Sequence, residues 1–201
     1  DEVEAGVQFL ESWGLIPRLP HDLFGADTIS SNTDEKRLKH LSQALQAKDS
    51  SAVWCLRGGY GAIRLVPGLL KLRRPAQPKV VLGLSDVTTI QLFLDMKWKW
   101  PSLQAPLLDR LGRLVNPDLV REGKPRPVDA QVEELKRVIF GETSSVVFEG
   151  LHRLGASSGS FKKNKSSKIS GVMSGGNLVT YASAIGTSIH PSADGRILYF
   201  E

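Results

Sequence analysis

The chain has 201 residues, 41% of them hydrophobic and 23% charged, which suits a globular protein with a real core in one or two domains. No apolar run reaches the roughly 18 residues of a membrane span, and the single cysteine, Cys55, excludes an internal disulfide and any cysteine-rich zinc site. The net charge of +5 admits an anionic partner, but the excess sits in Arg73-Arg74 and residues 162–168 without interleaved aromatics, a pattern of solvated loops rather than of a nucleic-acid surface.

In chain order, Val3, Val7 and Leu10, with Phe9 and Trp13 beside them, predict an amphipathic helix ended by Gly14. Leu15 to Leu19 reads as a short extended piece and residues 21–32 as a surface loop. Thr33 opens a second helix with Leu38, Leu41 and Leu45 on its apolar face. Ala52 to Leu56 reads as a buried strand that runs into Arg57-Gly58-Gly59-Tyr60-Gly61 and then a helix through Ile63 and Val66. Val80-Val81-Leu82 reads as a second strand, apolar on both faces, and it stops at Gly83-Leu84-Ser85-Asp86. Ile90, Leu92, Phe93 and Met96 then carry a helical spacing. Alternating β and α units predict a parallel sheet flanked by helices.

Residues 98–127 are proline-rich and aperiodic, and are expected to be loop with short helical pieces. Val132, Leu135 and Ile139 mark one more helix, ended at Gly141. From Ser144 the texture changes to short β-prone runs, at Val146-Val147-Phe148, from Ile169 to Val172 and from Ile197 to Phe200. A domain boundary near residue 141 follows, with residues 1–141 forming the α/β part and 142–201 opening a β-rich part. The chain starts in a helix at Asp1 and ends on a strand at Glu201, so it is expected to be an internal piece of a longer protein, lacking the first strand of its sheet.

A serine at a strand-to-helix turn exposes its Oγ beside the first N–H groups of the helix, the geometry of a nucleophile elbow. Val87 stands where the second glycine of Gly-x-Ser-x-Gly would be, and on this local pattern alone Ser85 more simply caps the helix, with Asp86 complementing its dipole. The turn Gly58-Gly59-Tyr60-Gly61 matches neither the P-loop nor the dinucleotide fingerprint. It could supply an oxyanion-hole N–H beside that of Asp86. Cys55 lies within a strand and is expected to pack in the core. Tyr60 either lines a pocket or packs on the turn. Gly175-Gly176-Asn177 reads as the start of a helix able to meet a carboxylate, although tight packing would also explain the glycines. The four histidines, His21, His40, His152 and His190, show no metal-ligand spacing.

Five stretches occur in order: Arg57-Gly58-Gly59-Tyr60-Gly61, Gly83-Leu84-Ser85-Asp86-Val87-Thr88, Ser174-Gly175-Gly176-Asn177-Leu178, Gly186-Thr187, and Gly195 through Glu201. Together they resemble the LD-carboxypeptidases of serine peptidase family S66, which include the microcin C self-immunity peptidases. The resemblance implies an N-terminal α/β domain with Ser85 as nucleophile and a smaller β-rich C-terminal domain. Glu201 would be the carboxylate of a Ser-His-Glu triad. Gly59 and Asp86 would give the oxyanion hole, and Gly58, Tyr60, Gly175, Gly176 and Asn177 would face substrate.

The family's histidine lies beyond the glutamate, and neither His152 nor His190 matches it, so this stretch by itself is expected to be inactive or nearly so. A second departure is Gln104-Ala105-Pro106 where the family usually has His-Gly-Pro, which bears on substrate preference. The resemblance further implies a murein tetrapeptide or related peptide as substrate, no metal or cofactor, a cytoplasmic setting without nucleic-acid or membrane partners, and a homodimer at full length.

Overall fold

The computed structural model describes residues 1–116, 129–151 and 169–201. The predicted helices α1 (Glu2–Ser12) and α2 (Asp34–Gln46) form, each started by a side-chain cap. Asp1 accepts the Glu4 N–H in a capping box, and Thr33 Oγ1 accepts that of Lys36. β1 (Ala52–Trp54), β2 (Val80–Gly83) and β3 (Ser102–Gln104) make a parallel sheet in the order β1-β2-β3, with Trp54 opposite Leu82 and Gly83 opposite Gln104. Parallel pairing brings the carboxyl ends of all three strands to one edge, where the chain turns into Arg57-Gly58, Leu84-Ser85 and Ala105-Pro106.

Helices cover the sheet. α3 (Val66–Leu69) follows a 3₁₀ turn at Ala62–Leu65, and α4 (Thr88–Phe93) follows another at Ser85–Val87. Every residue of α4 is buried, and a π turn at Leu94–Trp98 extends it to Lys99. Phe93, Leu94, Trp98 and Trp100 join Val81, Leu69 and Leu45 in the main core. A second cluster holds α5 (Leu108–Val115) to α1 around Phe9, Leu10 and Leu111, with Val132 of α6 (Asp129–Ile139). Glycines let α1 and α5 touch, since a Cβ on Gly112 would lie 2.9 Å from the Ala5 backbone. The C-terminal part is one β-α-β unit: β4 (Val172–Gly176), α7 (Leu178–Ser183) and β5 (Arg196–Phe200), the two strands parallel. Tyr181, Ala184 and Ile189 tie this unit to the main core.

Several expectations change. β3 lies where loop was predicted, and the helix through Ile63 and Val66 is one 3₁₀ turn plus a four-residue helix. Val80 is 40% exposed, so burial in β2 starts at Val81 and continues through Leu82 and Gly83. Val146-Val147-Phe148 forms no strand and is exposed. The strand expected from Ile169 begins instead at Val172 and runs through Gly176. Gly175 and Gly176 therefore end a strand rather than open a helix. The predictions on residues 117–127, on His152 and on residues 162–168 lie outside the described residues. Among the described residues no helix is long and apolar enough to cross a membrane.

Candidate active site

β2 ends on Gly83, and the chain then turns sharply enough to place Ser85 at φ +64°. That left-handed conformation crowds the Cβ of an L-residue, at a cost of about 1–3 kcal/mol, and recurs at functional turns. The turn needs glycine at 83, because a Cβ there would stand 2.9 Å from Val87 Cγ1. Gly83 thus leaves room for the side chain of Val87, which stands where the second glycine of the motif would be.

The turn after β1 lies directly against this serine. A Cβ on Gly58 would come 3.1 Å from Ser85 Cβ and 3.3 Å from its Oγ, so any larger residue would press on the hydroxyl. Gly59 (φ +104°) and Gly61 (φ +90°) hold left-handed conformations that favour glycine. Tyr60 stands 78% exposed at the tip, so it does not pack on the turn. Arg37 Nη1 donates to the Gly61 carbonyl at 3.3 Å.

Asp86 joins the two turns. Its Oδ2 accepts the Ala62 N–H at 2.9 Å, across 24 residues of sequence. Burial raises its carboxyl above the usual carboxylate range, opposed by that hydrogen bond and by the charge of Arg37. When the folded value is raised, the unfolded chain ionises first as pH rises. The stability from this group is therefore full below the ordinary carboxylate value and is lost as pH climbs through the raised one. Asp86→Asn keeps an acceptor for Ala62 and carries no charge. In thermal melts, wild type should lose stability relative to Asp86→Asn from about pH 4 upward; a pH-independent difference would contradict this.

β5 delivers Glu201 to the elbow. The Ser85 N–H donates to Glu201 Oε1 at 3.2 Å, linking residues 116 apart in sequence. The strand is held at both ends. The Glu201 N–H donates to the Gly176 carbonyl at 3.1 Å, and Arg196 forms a two-pronged ion pair with Asp95 on the π turn beyond α4. Gly175 fits under β5, where a Cβ would meet the Tyr199 carbonyl oxygen at 1.8 Å. The Asn177 side chain caps α7, accepting the Thr180 N–H at 3.1 Å. Tight packing is therefore the visible use of Gly175 and Gly176.

Other candidates fall away from the elbow. His190 Nδ1 accepts the Gly186 N–H at 2.8 Å, closing a local turn, and His40 pairs with Asp22. Burial pushes the Cys55 thiol up to about 12. Its thiolate is then on the order of 10⁻⁵ of the total at neutral pH, so iodoacetamide should label Cys55 only after denaturation; rapid labelling of the native chain would refute that placement. Gln104 Oε1 is buried at the end of β3 without a hydrogen-bond partner. Among the described residues no group of three or more His, Cys, Asp and Glu could hold a metal ion. Sequence reasoning missed the Asp86 carboxylate as a bridge, and also Arg37 and the Asp95–Arg196 pair. Only Asp86 carried a signal, through its place beside the serine.

Fold and site together define a parallel α/β protein with a strained serine elbow at the carboxyl edge of its sheet. Residues 1–105 match the LD-carboxypeptidase N-terminal domain of peptidase family S66. The chain belongs to this LD-carboxypeptidase family. It is 32% identical over 171 residues to a candidate carboxypeptidase of Rickettsia conorii, covering 85% of this chain and 49% of that protein. With the murein tetrapeptide carboxypeptidase of Pseudomonas aeruginosa it shares 31% identity over 206 residues, covering 100% of this chain and 61% of that one.

Among solved structures, an MccF-like protein from Bacillus anthracis superposes with a TM-score of 0.73 at 19% identity, covering 99% of this chain and 61% of that one. The MccF protein in complex with glutamyl sulfamoyl guanosine superposes at 0.68 with 18% identity, covering 99% and 62%. At such identities the structural likeness establishes the fold. The chain spans about half the length of the Rickettsia relatives it matches.

Proposed function

We propose that this chain is the nucleophile-bearing part of a serine carboxypeptidase that cleaves an L-to-D peptide bond in murein tetrapeptides. The observation that carries the reading is the meeting of Ser85, at φ +64°, with Gly58 at its hydroxyl and with Glu201 at its backbone N–H. In this reading Ser85 Oγ attacks the scissile carbonyl carbon and its proton passes to a histidine supplied by sequence outside this chain. The N–H groups of Gly59 and Asp86 receive the developing oxyanion. The carbon–nitrogen bond then breaks, the proton returns to the leaving D-amino acid, and water releases the acyl group from Ser85. Glu201, with one oxygen held by the Ser85 N–H, would present the other to the imidazole and hold its tautomer.

Gly58, Tyr60 and the Gly175-Gly176-Asn177 turn would form the substrate-facing surface. Residues 1–141 would form one domain and 142–201 the start of another, in a cytoplasmic homodimer at full length. Support comes from the family, whose Pseudomonas member is named a murein tetrapeptide carboxypeptidase.

The departure at Gln104-Ala105-Pro106 and the sulfamoyl guanosine bound by the MccF structure favour a second reading, hydrolysis of an aminoacyl-nucleotide amide. Full-length protein given both substrates decides. Release of D-alanine from murein tetrapeptide is expected. Cleavage of an aminoacyl-sulfamoyl adenosine alone would move the function to the second reading. Turnover of neither by a folded protein would leave a catalytically inactive anion-binding module.

A further inference from the structure

Thr88 lies one helical turn after Ser85 and is fully buried, an unusual place for a hydroxyl. Its Oγ1 accepts the Asn177 N–H at 3.0 Å, so its partner lies not on its own helix but at the end of β4. The approach is close. A Cβ on Gly176 would stand 2.5 Å from Thr88 Oγ1 and 2.8 Å from its Cγ2. Gly176 in turn accepts the Glu201 N–H at 3.1 Å, and the Glu201 carbonyl accepts the Leu178 N–H at 3.3 Å. Glu201 Oε1 then returns to the Ser85 N–H at 3.2 Å.

These contacts close a ring. It runs from Ser85 along one turn of helix to Thr88, across to Asn177 and Gly176, onto the Glu201 backbone, and back through the Glu201 side chain to Ser85. Only the Thr88–Asn177 bond and the Glu201–Ser85 bond cross between the nucleophile helix and the β4-β5 unit within this ring. The Arg196–Asp95 pair fixes the far end of β5 and leaves Glu201, the residue after the strand, to be placed by the ring. We propose that Thr88 is a positioning residue whose hydroxyl sets the location of the Glu201 carboxylate relative to Ser85. This rests on the reading of Ser85 and Glu201 as catalytic.

The physical requirement is narrow. Valine keeps the shape of threonine but offers no acceptor, so the part-buried Asn177 N–H loses its partner and the β4 end is free to shift. Displacements on the order of 1 Å in a catalytic constellation cost up to about a hundredfold in rate. Serine keeps the acceptor and loses only a methyl group.

The test is steady-state release of D-alanine by the full-length protein and its Thr88→Ser, Thr88→Val and Ser85→Ala variants. Thr88→Val is expected to lose about ten- to a hundredfold in kcat with little change in KM. Thr88→Ser should stay within about threefold of wild type. Should Thr88→Val fail to fold, Thr88→Cys, with its weaker sulfur acceptor, is expected to fall below Thr88→Ser. Full kcat in Thr88→Val, an equal loss in Thr88→Ser, or a loss confined to KM would overturn the proposal. An active Ser85→Ala would instead overturn the catalytic reading beneath it, so the two failures are separable.

Discussion

Ser85→Ala in the full-length protein is expected to lower kcat by roughly 10⁴-fold or more, with the folded state left intact. The hydroxyl is the only group lost, and Ala at φ +64° bears the same backbone crowding as serine. Ser85→Gly sharpens the comparison. Glycine adopts this conformation freely, which favours the fold by about 1 kcal/mol and is offset in part by its greater freedom when unfolded. Both variants should therefore be inactive, and the glycine variant should melt no lower than the alanine one. Circular dichroism melts beside the turnover assay check this; a Ser85→Gly protein that melts well below Ser85→Ala would mean that the elbow is not strained as described.

Gly175→Ala should produce the largest loss of stability. The added Cβ would lie 1.8 Å from the Tyr199 carbonyl oxygen and 2.8 Å from its carbonyl carbon. Those are main-chain atoms of the neighbouring strand, paired in register with Gly175 itself, so no side-chain rotation relieves the clash. The ladder between β4 and β5 must open, and the cost is on the order of 3 kcal/mol or more. In a chain of this size that lowers the melting temperature by about 6–12 °C. Because Glu201 directly follows β5, opening the ladder also withdraws the carboxylate from Ser85, and activity should fall with stability. A Gly175→Ala protein that melts with wild type would mean that β4 and β5 are not paired in this register.

The main architecture was legible because its signals are local. An apolar run that stops at Gly83-Leu84-Ser85-Asp86 and continues with helical spacing announces a strand, a turn and a helix within fifteen residues. Capping by Asp1 and Thr33 is equally local. β3 was hidden because three half-buried residues between Pro101 and Pro106 are too few to show an alternation.

Gly175 and Gly176 misled for another reason. Their glycines answer to a strand and a helix distant in sequence, Tyr199 on one side and Thr88 on the other, and nothing nearby records that demand. Val146-Val147-Phe148 has strand composition, yet composition supplies no partner strand. Glu201 read locally as a strand end, and only the family resemblance raised it to a candidate; its meeting with Ser85 depends on the pairing of β4 with β5 and on the Thr88 contact.

The most direct measurement is labelling with a serine-reactive fluorophosphonate, followed by peptide mass spectrometry. It would be applied to the full-length protein, to the 201-residue chain, and to the Ser85→Ala form of each, with folding confirmed by circular dichroism. Modification is expected at Ser85 in the full-length protein, none in either Ser85→Ala form, and little in the 201-residue chain, which lacks the proposed histidine. Equal labelling of the short chain would place the base within these residues. A folded full-length protein that takes up no label at Ser85 would contradict the central claim that this serine is the nucleophile.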